Sequence, residues 1–123
     1  MEGTASFGYE RLQVWQQAKS LTVIIYKITK DFPIDERYGL TSQLRRSIAS
    51  VGYNLAEGST RISKQEQARF VEIAFGSLIE AASQLELANE LDYLDDETYT
   101  DLKRKCVNLS RRINRYRIAI LKN

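Results

Sequence analysis

The chain has 123 residues, 43% of them apolar and 28% charged, a balance that suits one soluble globular domain rather than a disordered chain. Its net charge is only +2, and no apolar run approaches the roughly 20 residues that a membrane span needs. Histidine is absent, which excludes His-dependent triads and His-based zinc or iron sites; the lone cysteine excludes an internal disulfide and fits a reducing cytoplasm.

Residues 1–8, MEGTASFG, lack the basic and apolar regions of a secretion signal and read as a loose tail before a single domain over 9–123. The first helix is expected from about Leu12 to Lys30, because Val14, Ala18, Leu21, Ile25, Ile28 and Phe32 recur at spacings of three and four. Pro33 stops it by disfavouring helical backbone at the residue before. Leu40, Leu44, Ile48, Val51 and Leu55 mark a second helix, from Arg37 or Thr41 to Glu57, with Gly58 suited to a left-handed position just past its end. Ser63 and Glu66 have the spacing of a capping box and start a third helix reaching about Leu91 along Phe70, Ala74, Leu78, Ala81, Leu85 and Ala88. Gly76 inside that helix costs up to about 1 kcal/mol relative to alanine, which predicts close backbone packing beside the small Ala74, Ser77, Ala81 and Ala82. Asp95 or Asp96 caps a fourth helix running to about Leu121. Three short connections and no alternating strand pattern predict an all-α, antiparallel up-down-up-down four-helix bundle.

No Gly-rich phosphate loop occurs, and Cys106 aligns with Leu102, Leu109, Ile113 and Ile120, a packing position. Asp92, Asp95, Asp96 and Glu97 could hold a hard cation, even a nuclease metal, but lack the ligand alternation and central glycine of an EF-hand loop. Acidic residues at a helix start are better explained by the macrodipole. Enzymatic activity, a metal and a cofactor are therefore not expected.

Charge is strongly segregated. Phe70 to Asp101 holds nine acidic residues and no basic one, whereas Lys103 to Asn123 holds eight basic residues and no acidic one. Arg37 to Arg69 carries six basic residues against two acidic ones. At 100° per residue, Arg104, Arg111, Arg115 and Lys122 line up opposite the apolar side of the fourth helix, with Lys105 and Arg112 on their shoulder. Such a face suits a phosphate backbone, with recognition by shape rather than base edges. The alternative is a solvated face, or one paired with the acidic third helix. Arg45, Arg46, Arg61 and Lys64 are further candidate contacts. Val107, Ile118 and Leu121 form a second apolar edge on this helix; with Trp15 and Phe75 they imply either subunit contacts or a wide core stripe.

Several separated motifs occur in the order of a known family. Tyr9-Glu10-Arg11-Leu12-Gln13-Val14-Trp15-Gln16-Gln17-Ala18, Arg37-Tyr38-Gly39-Leu40-Thr41-Ser42-Gln43-Leu44-Arg45-Arg46 and Asn54-Leu55-Ala56-Glu57-Gly58 come first. Arg69-Phe70, Ala74-Phe75-Gly76-Ser77-Leu78 and Gln84-Leu85-Glu86-Leu87-Ala88 follow. Over roughly residues 9–94 the chain resembles the four-helix-bundle family of 23S rRNA intervening-sequence proteins. That resemblance implies a left-handed bundle assembled into a ring, a homopentamer. It also implies kinship with the accessory subunit of diversity-generating retroelements, which associates with a reverse transcriptase and nucleic acid. Gly52 stands where many relatives have Pro, which predicts a straighter second helix; Ala82 replaces a frequent acidic residue and Thr60 a frequent Gly. Asn54, Glu57 and Gly58 are expected to form a structural corner, tying the end of the second helix to the next loop or to a neighbouring subunit, with Arg61 and Lys64 projecting outward.

The leading functional expectation is thus a non-enzymatic, oligomeric module that binds RNA or an RNA–DNA hybrid. A protein-interaction scaffold, such as a reverse-transcriptase accessory subunit, is the alternative.

Overall fold

A computed structural model describes residues 5–123, which form four α-helices and two short 3-10 turns. The helices are α1 (Gln13–Thr29), α2 (Leu40–Gly58), α3 (Lys64–Glu90) and α4 (Asp96–Lys122). Part of the expected tail lies outside the described residues. Gly8 already belongs to the first 3-10 turn, Gly8–Arg11, where the Phe7 N–H donates to the Glu10 carboxylate at 2.7 Å.

Each helix begins and ends for a local reason. Pro33 opens the second 3-10 turn, Ile34–Glu36, after α1 has closed with the Phe32 N–H donating to the Thr29 carbonyl. Ser63 Oγ accepts from the Glu66 N–H at 3.1 Å and caps α3. The reciprocal half of that capping box is missing, because the Glu66 carboxylate turns to Arg69 instead, 3.3 Å away. Asp95 caps α4 by accepting the Thr98 N–H at 2.7 Å, which holds its carboxyl below the usual range.

The left-handed turn expected at Gly58 occurs elsewhere. Among the described residues no glycine has positive φ; the residue that does is Asp92, at φ 63°, just past the end of α3. Its N–H donates to the Asn89 carbonyl and the Tyr93 N–H to the Ala88 carbonyl, the paired bonds of a Schellman motif. Gly58 is instead the last residue of α2, and its need for glycine is steric. A Cβ there would lie 2.7 Å from the Phe70 Cβ and 3.4 Å from the Gln67 carbonyl oxygen. Gly76 shows the opposite. It is exposed and a Cβ would meet nothing within 4 Å, so the close packing expected around it is absent among the described residues. At Gly52 α2 continues without a break, with the Trp15 indole 3.6 Å from where a Cβ would stand.

The apolar stripes converge on one core. Ile25, Leu44, Ile48, Leu55, Leu78, Leu85, Leu102, Leu109 and Ile113 are among its fully buried members. Neighbouring helices meet in opposite numerical order. Trp15 lies by Gly52, Thr22 donates to the Ile48 carbonyl at 3.2 Å and Arg45 donates to Thr29 Oγ1 at 2.8 Å. Gly58 lies by Phe70 and Ser50 bonds Ser77 at 3.0 Å; likewise Lys64 reaches Asn123 and Glu72 faces Arg117. One end of the bundle therefore gathers the starts of α1 and α3 with the ends of α2 and α4. At the other end, Tyr93 donates to Glu36 at 2.9 Å and stacks obliquely on Phe32, joining the last loop to the first.

The two readings of the off-stripe apolar residues separate. Trp15 and Phe75 are half-buried against the core, so both belong to its margin. Val107, Ile118 and Leu121 stay 39–50% exposed and lie outside it.

Candidate nucleic-acid interface

The basic surface is built on α4, whose periodicity buries Leu102, Cys106, Leu109, Ile113 and Ile120 and leaves the opposite side in solvent. Burial pushes the Cys106 thiol up to about 11, consistent with a packing role. Arg104, Arg111, Arg112 and Arg115 are all exposed. They differ in their partners. Arg104 is held by Asp101, which also takes Lys105 at 2.8 Å and whose carboxyl is lowered first of all by that lysine. Arg111, Arg112 and Arg115 have no ion pair among the described residues. Across to the acidic α3 the contact is Arg117 with Glu72, at a loose 3.9 Å.

The remaining candidates are scattered and mostly engaged. Arg45 and Arg46 lie in the first half of α2. Arg45 donates to Thr29 Oγ1 and to the Tyr26 carbonyl and stacks 4.9 Å from the Tyr26 ring, so it fastens α2 to α1. Arg46 is exposed and has no ion pair among the described residues. Arg61 does not project outward as expected: it folds back onto Glu57 at 2.6 Å and lies 4.6 Å over the Phe70 ring. A guanidinium beside both a carboxylate and an aromatic face gains from each contact. Lys64 reaches the Asn123 carbonyl at 2.5 Å. The eight candidates are therefore not one site, and the open part of the set is Arg111, Arg112 and Arg115 with Arg46 apart from them.

The corner residues divide in the same way. Glu57 ties the end of α2 to the following loop through Arg61. Asn54 turns back instead, donating to the Ser50 carbonyl and Oγ, both at 2.9 Å, and through Ser50 it reaches Ser77 on α3. Side chains on a helix lean toward its N-terminus, which places Ser50, four residues earlier, within reach and the loop out of it. The acidic cluster is likewise used locally. Asp92 turns the chain, Asp95 caps, and Asp96 accepts from Asn89 at 2.9 Å. Among the described residues no group of three His, Cys, Asp or Glu could hold a metal ion, and no helix is long and apolar enough to cross a membrane.

A groove between α1 and α2 was not anticipated from the sequence. It has a volume of about 580 Å³ and is lined by Trp15, Val23, Tyr26, Ala49, Gly52 and Tyr53, with Lys19, Lys27 and Lys30 along it. The Lys19 ammonium stands 5.1 Å over the Trp15 ring. A signal was present: Lys19, Val23, Lys27 and Lys30 recur at helical spacing opposite the buried stripe.

The family model for the 23S rRNA-intervening sequence protein matches residues 10–115. A crystal structure of a protein of unknown function from the S23 ribosomal protein family of Bacteroides thetaiotaomicron is similar, with a TM-score of 0.70 and 26% sequence identity. That likeness covers 89% of this chain and 99% of the other. No curated protein matches. The motifs, the four-helix fold and the span of the family match agree, and the chain belongs to the 23S rRNA-intervening sequence protein family.

Proposed function

We propose that the protein is a non-enzymatic, self-associating module of the cytoplasm that binds nucleic acid, RNA or an RNA–DNA hybrid, through the outer face of α4. The observation that carries this reading is the open trio Arg111, Arg112 and Arg115, exposed and without carboxylate partners among the described residues. Guanidinium groups left in water attract phosphate by counterion release and impose no base preference. Assembly into a homo-oligomer, a pentamer as the resemblance implies, multiplies a modest patch by effective concentration. The exposed Ile73, Ile79 and Leu87 on α3, with Leu91 just past its end, support self-association.

The test is a salt-titrated binding measurement on RNA, DNA and hybrid, with particle mass measured in parallel. Replacing Arg111, Arg112 and Arg115 by Ala lowers affinity at every sequence and flattens the logarithmic salt slope by roughly 2–3 units, at about 0.7–0.9 per phosphate contact. Asp101→Asn, which releases Arg104 and Lys105, steepens it. Binding that ignores salt, or that survives the triple replacement unchanged, rejects the proposal.

The exposed edge Val107, Ile118 and Leu121 favours a second reading, a scaffold or accessory subunit whose partner is a protein such as a reverse transcriptase. Co-purification of a protein after nuclease treatment, lost on Ile118→Asp, distinguishes it.

A further inference from the structure

Three hollows adjoin across the α1 side of the bundle. The groove between α1 and α2 shares Tyr53 with a hollow of about 700 Å³ that Phe7, Tyr9 and Leu12 also line. That hollow in turn shares Leu12 and Tyr116 with a third of about 450 Å³, whose rim is Arg112 and Arg115. Aromatic rings run through all three. Phe7 stacks on Tyr9 at 5.9 Å and 15°, and Tyr9 meets Trp15 edge-on at 4.7 Å. Tyr53 is 72% exposed and spends its ring on no neighbour in the core. Cations stand at both ends, Lys27 and Lys30 at one and Arg112 and Arg115 at the other, with Lys19 between. The acidic group on the path, Glu57, is already engaged by Arg61.

We infer that this track is a binding site for single-stranded nucleic acid, whose bases stack on Tyr53 and neighbouring rings while its phosphates follow the lysines to Arg112 and Arg115. The inference rests on the nucleic-acid reading above and adds a strand preference that the α4 face alone does not confer. A row of cations suits any duplex. Rings open between cations suit unpaired bases, because every base offers a face to stack, whereas a duplex keeps its bases stacked on each other. Positive charge on both flanks also distinguishes this groove from a purely apolar docking surface, since isolated lysines beside exposed aromatics complement a polyanion that carries its own rings. Along α1 the track spans about 25 Å at ~1.5 Å per residue, enough for a strand of several nucleotides.

The chain reports on its own site, because Trp15 is its sole tryptophan. The probes are oligouridylate and oligoadenylate of about 12 nucleotides, inside the roughly 4–16-nucleotide footprints of single-strand-binding folds, and a duplex of the same length. Single strands are expected to quench Trp15 emission and to bind more tightly than duplex. Tyr53→Ala, a surface change, weakens single-strand binding at least roughly fivefold, the lower end of a base–aromatic stack, and leaves duplex binding unchanged. Lys27→Ala with Lys30→Ala weakens single strands and flattens their salt slope. Equal affinity for the two forms, or no effect of Tyr53→Ala on single strands, overturns the track. In that case continued sensitivity to Arg111→Ala, which lies off the track, leaves the α4 reading standing, whereas no binding of any probe removes both. A Tyr53→Ala protein that changes particle mass but not affinity assigns the groove to a second copy and also overturns the inference.

Discussion

Gly58 and Gly76 have one composition and opposite surroundings, so replacing each by alanine tests the packing directly. At Gly58 the added Cβ starts 2.7 Å from the Phe70 Cβ, whereas carbon atoms prefer about 3.5–4.0 Å. The end of α2 and the start of α3 must therefore separate by roughly 1 Å. Rotating the Phe70 side chain does not relieve this, because its Cβ is fixed to the α3 backbone. Overpacking of this kind costs about 1–3 kcal/mol, and the helix-propensity gain of alanine returns less than about 1 kcal/mol at a terminal position. A net loss of about 1–2 kcal/mol follows, which lowers the melting temperature by roughly 4–8 °C for a chain of this size. Gly76→Ala meets nothing within 4 Å and raises stability by about 0.5–1 kcal/mol. Urea and thermal unfolding followed by far-ultraviolet circular dichroism, at fixed protein concentration, read both. A Gly58→Ala protein as stable as the parent would refute the α2–α3 contact. A Gly76→Ala protein less stable than the parent would show that another chain covers that face.

Three further outcomes follow from local chemistry. Asp92→Gly removes the left-handed strain of an L-residue at φ 63° and stabilises the fold by up to about 1 kcal/mol, measured in the same unfolding experiment. The Glu36 carboxyl is lowered from its ordinary 4.5, first by the Leu40 N–H and then by the Tyr93 hydroxyl, while the Tyr93 hydroxyl is raised from 10.0, first by Glu36. A depressed carboxyl stabilises above its unfolded value and loses that stability as pH falls through the folded one; a raised phenol stabilises below its unfolded value and loses it as pH rises. Stability from this pair is thus present at neutral pH and fades at both extremes, and Glu36→Gln flattens both limbs of the pH–stability curve. Cys106, buried and raised to about 11, resists thiol reagents near neutral pH until the chain unfolds, so its labelling rate equals the opening rate under fast-reagent conditions.

Helix existence was legible in the sequence because burial alone sets the period: Leu40, Leu44, Ile48, Val51 and Leu55 have one way to face a core. Ser63 and Asp95 were legible as caps because a cap is a bond within a few residues. Gly58 and Gly76 were misread for the converse reason. Whether a glycine is needed for its backbone angle or for the neighbour it admits depends on a helix distant in the chain, Phe70 in the first case and none in the second. The groove beside Trp15 was hidden by the same limit. One wall, with Lys19 and Lys27, comes from α1 and the other, with Ala49, Gly52 and Tyr53, from α2, and only packing sets Tyr53 across from Lys19.

The sorting of the cations follows a rule that a sequence does contain. Arg61, Arg69, Arg104 and Lys105 each have a carboxylate three or four residues earlier, and each is paired with it. Arg111, Arg112 and Arg115 have no acidic residue within four positions on either side, and among the described residues none pairs with them. A helix satisfies its charges on its own surface first, since neighbours at those spacings are about 5–6 Å apart whatever the tertiary fold. Cations beyond that reach need a carboxylate from another element, and the one such pair described, Arg117 with Glu72, is stretched to 3.9 Å. Segregating acids on α3 from bases on the second half of α4 therefore leaves a positive field that folding does not cancel, even though the net charge is only +2. The same spacing predicts its own reversal. Arg111 with a glutamate placed four residues before it, Val107→Glu, becomes a paired cation, and phosphate binding at that position falls without the loss of any basic residue.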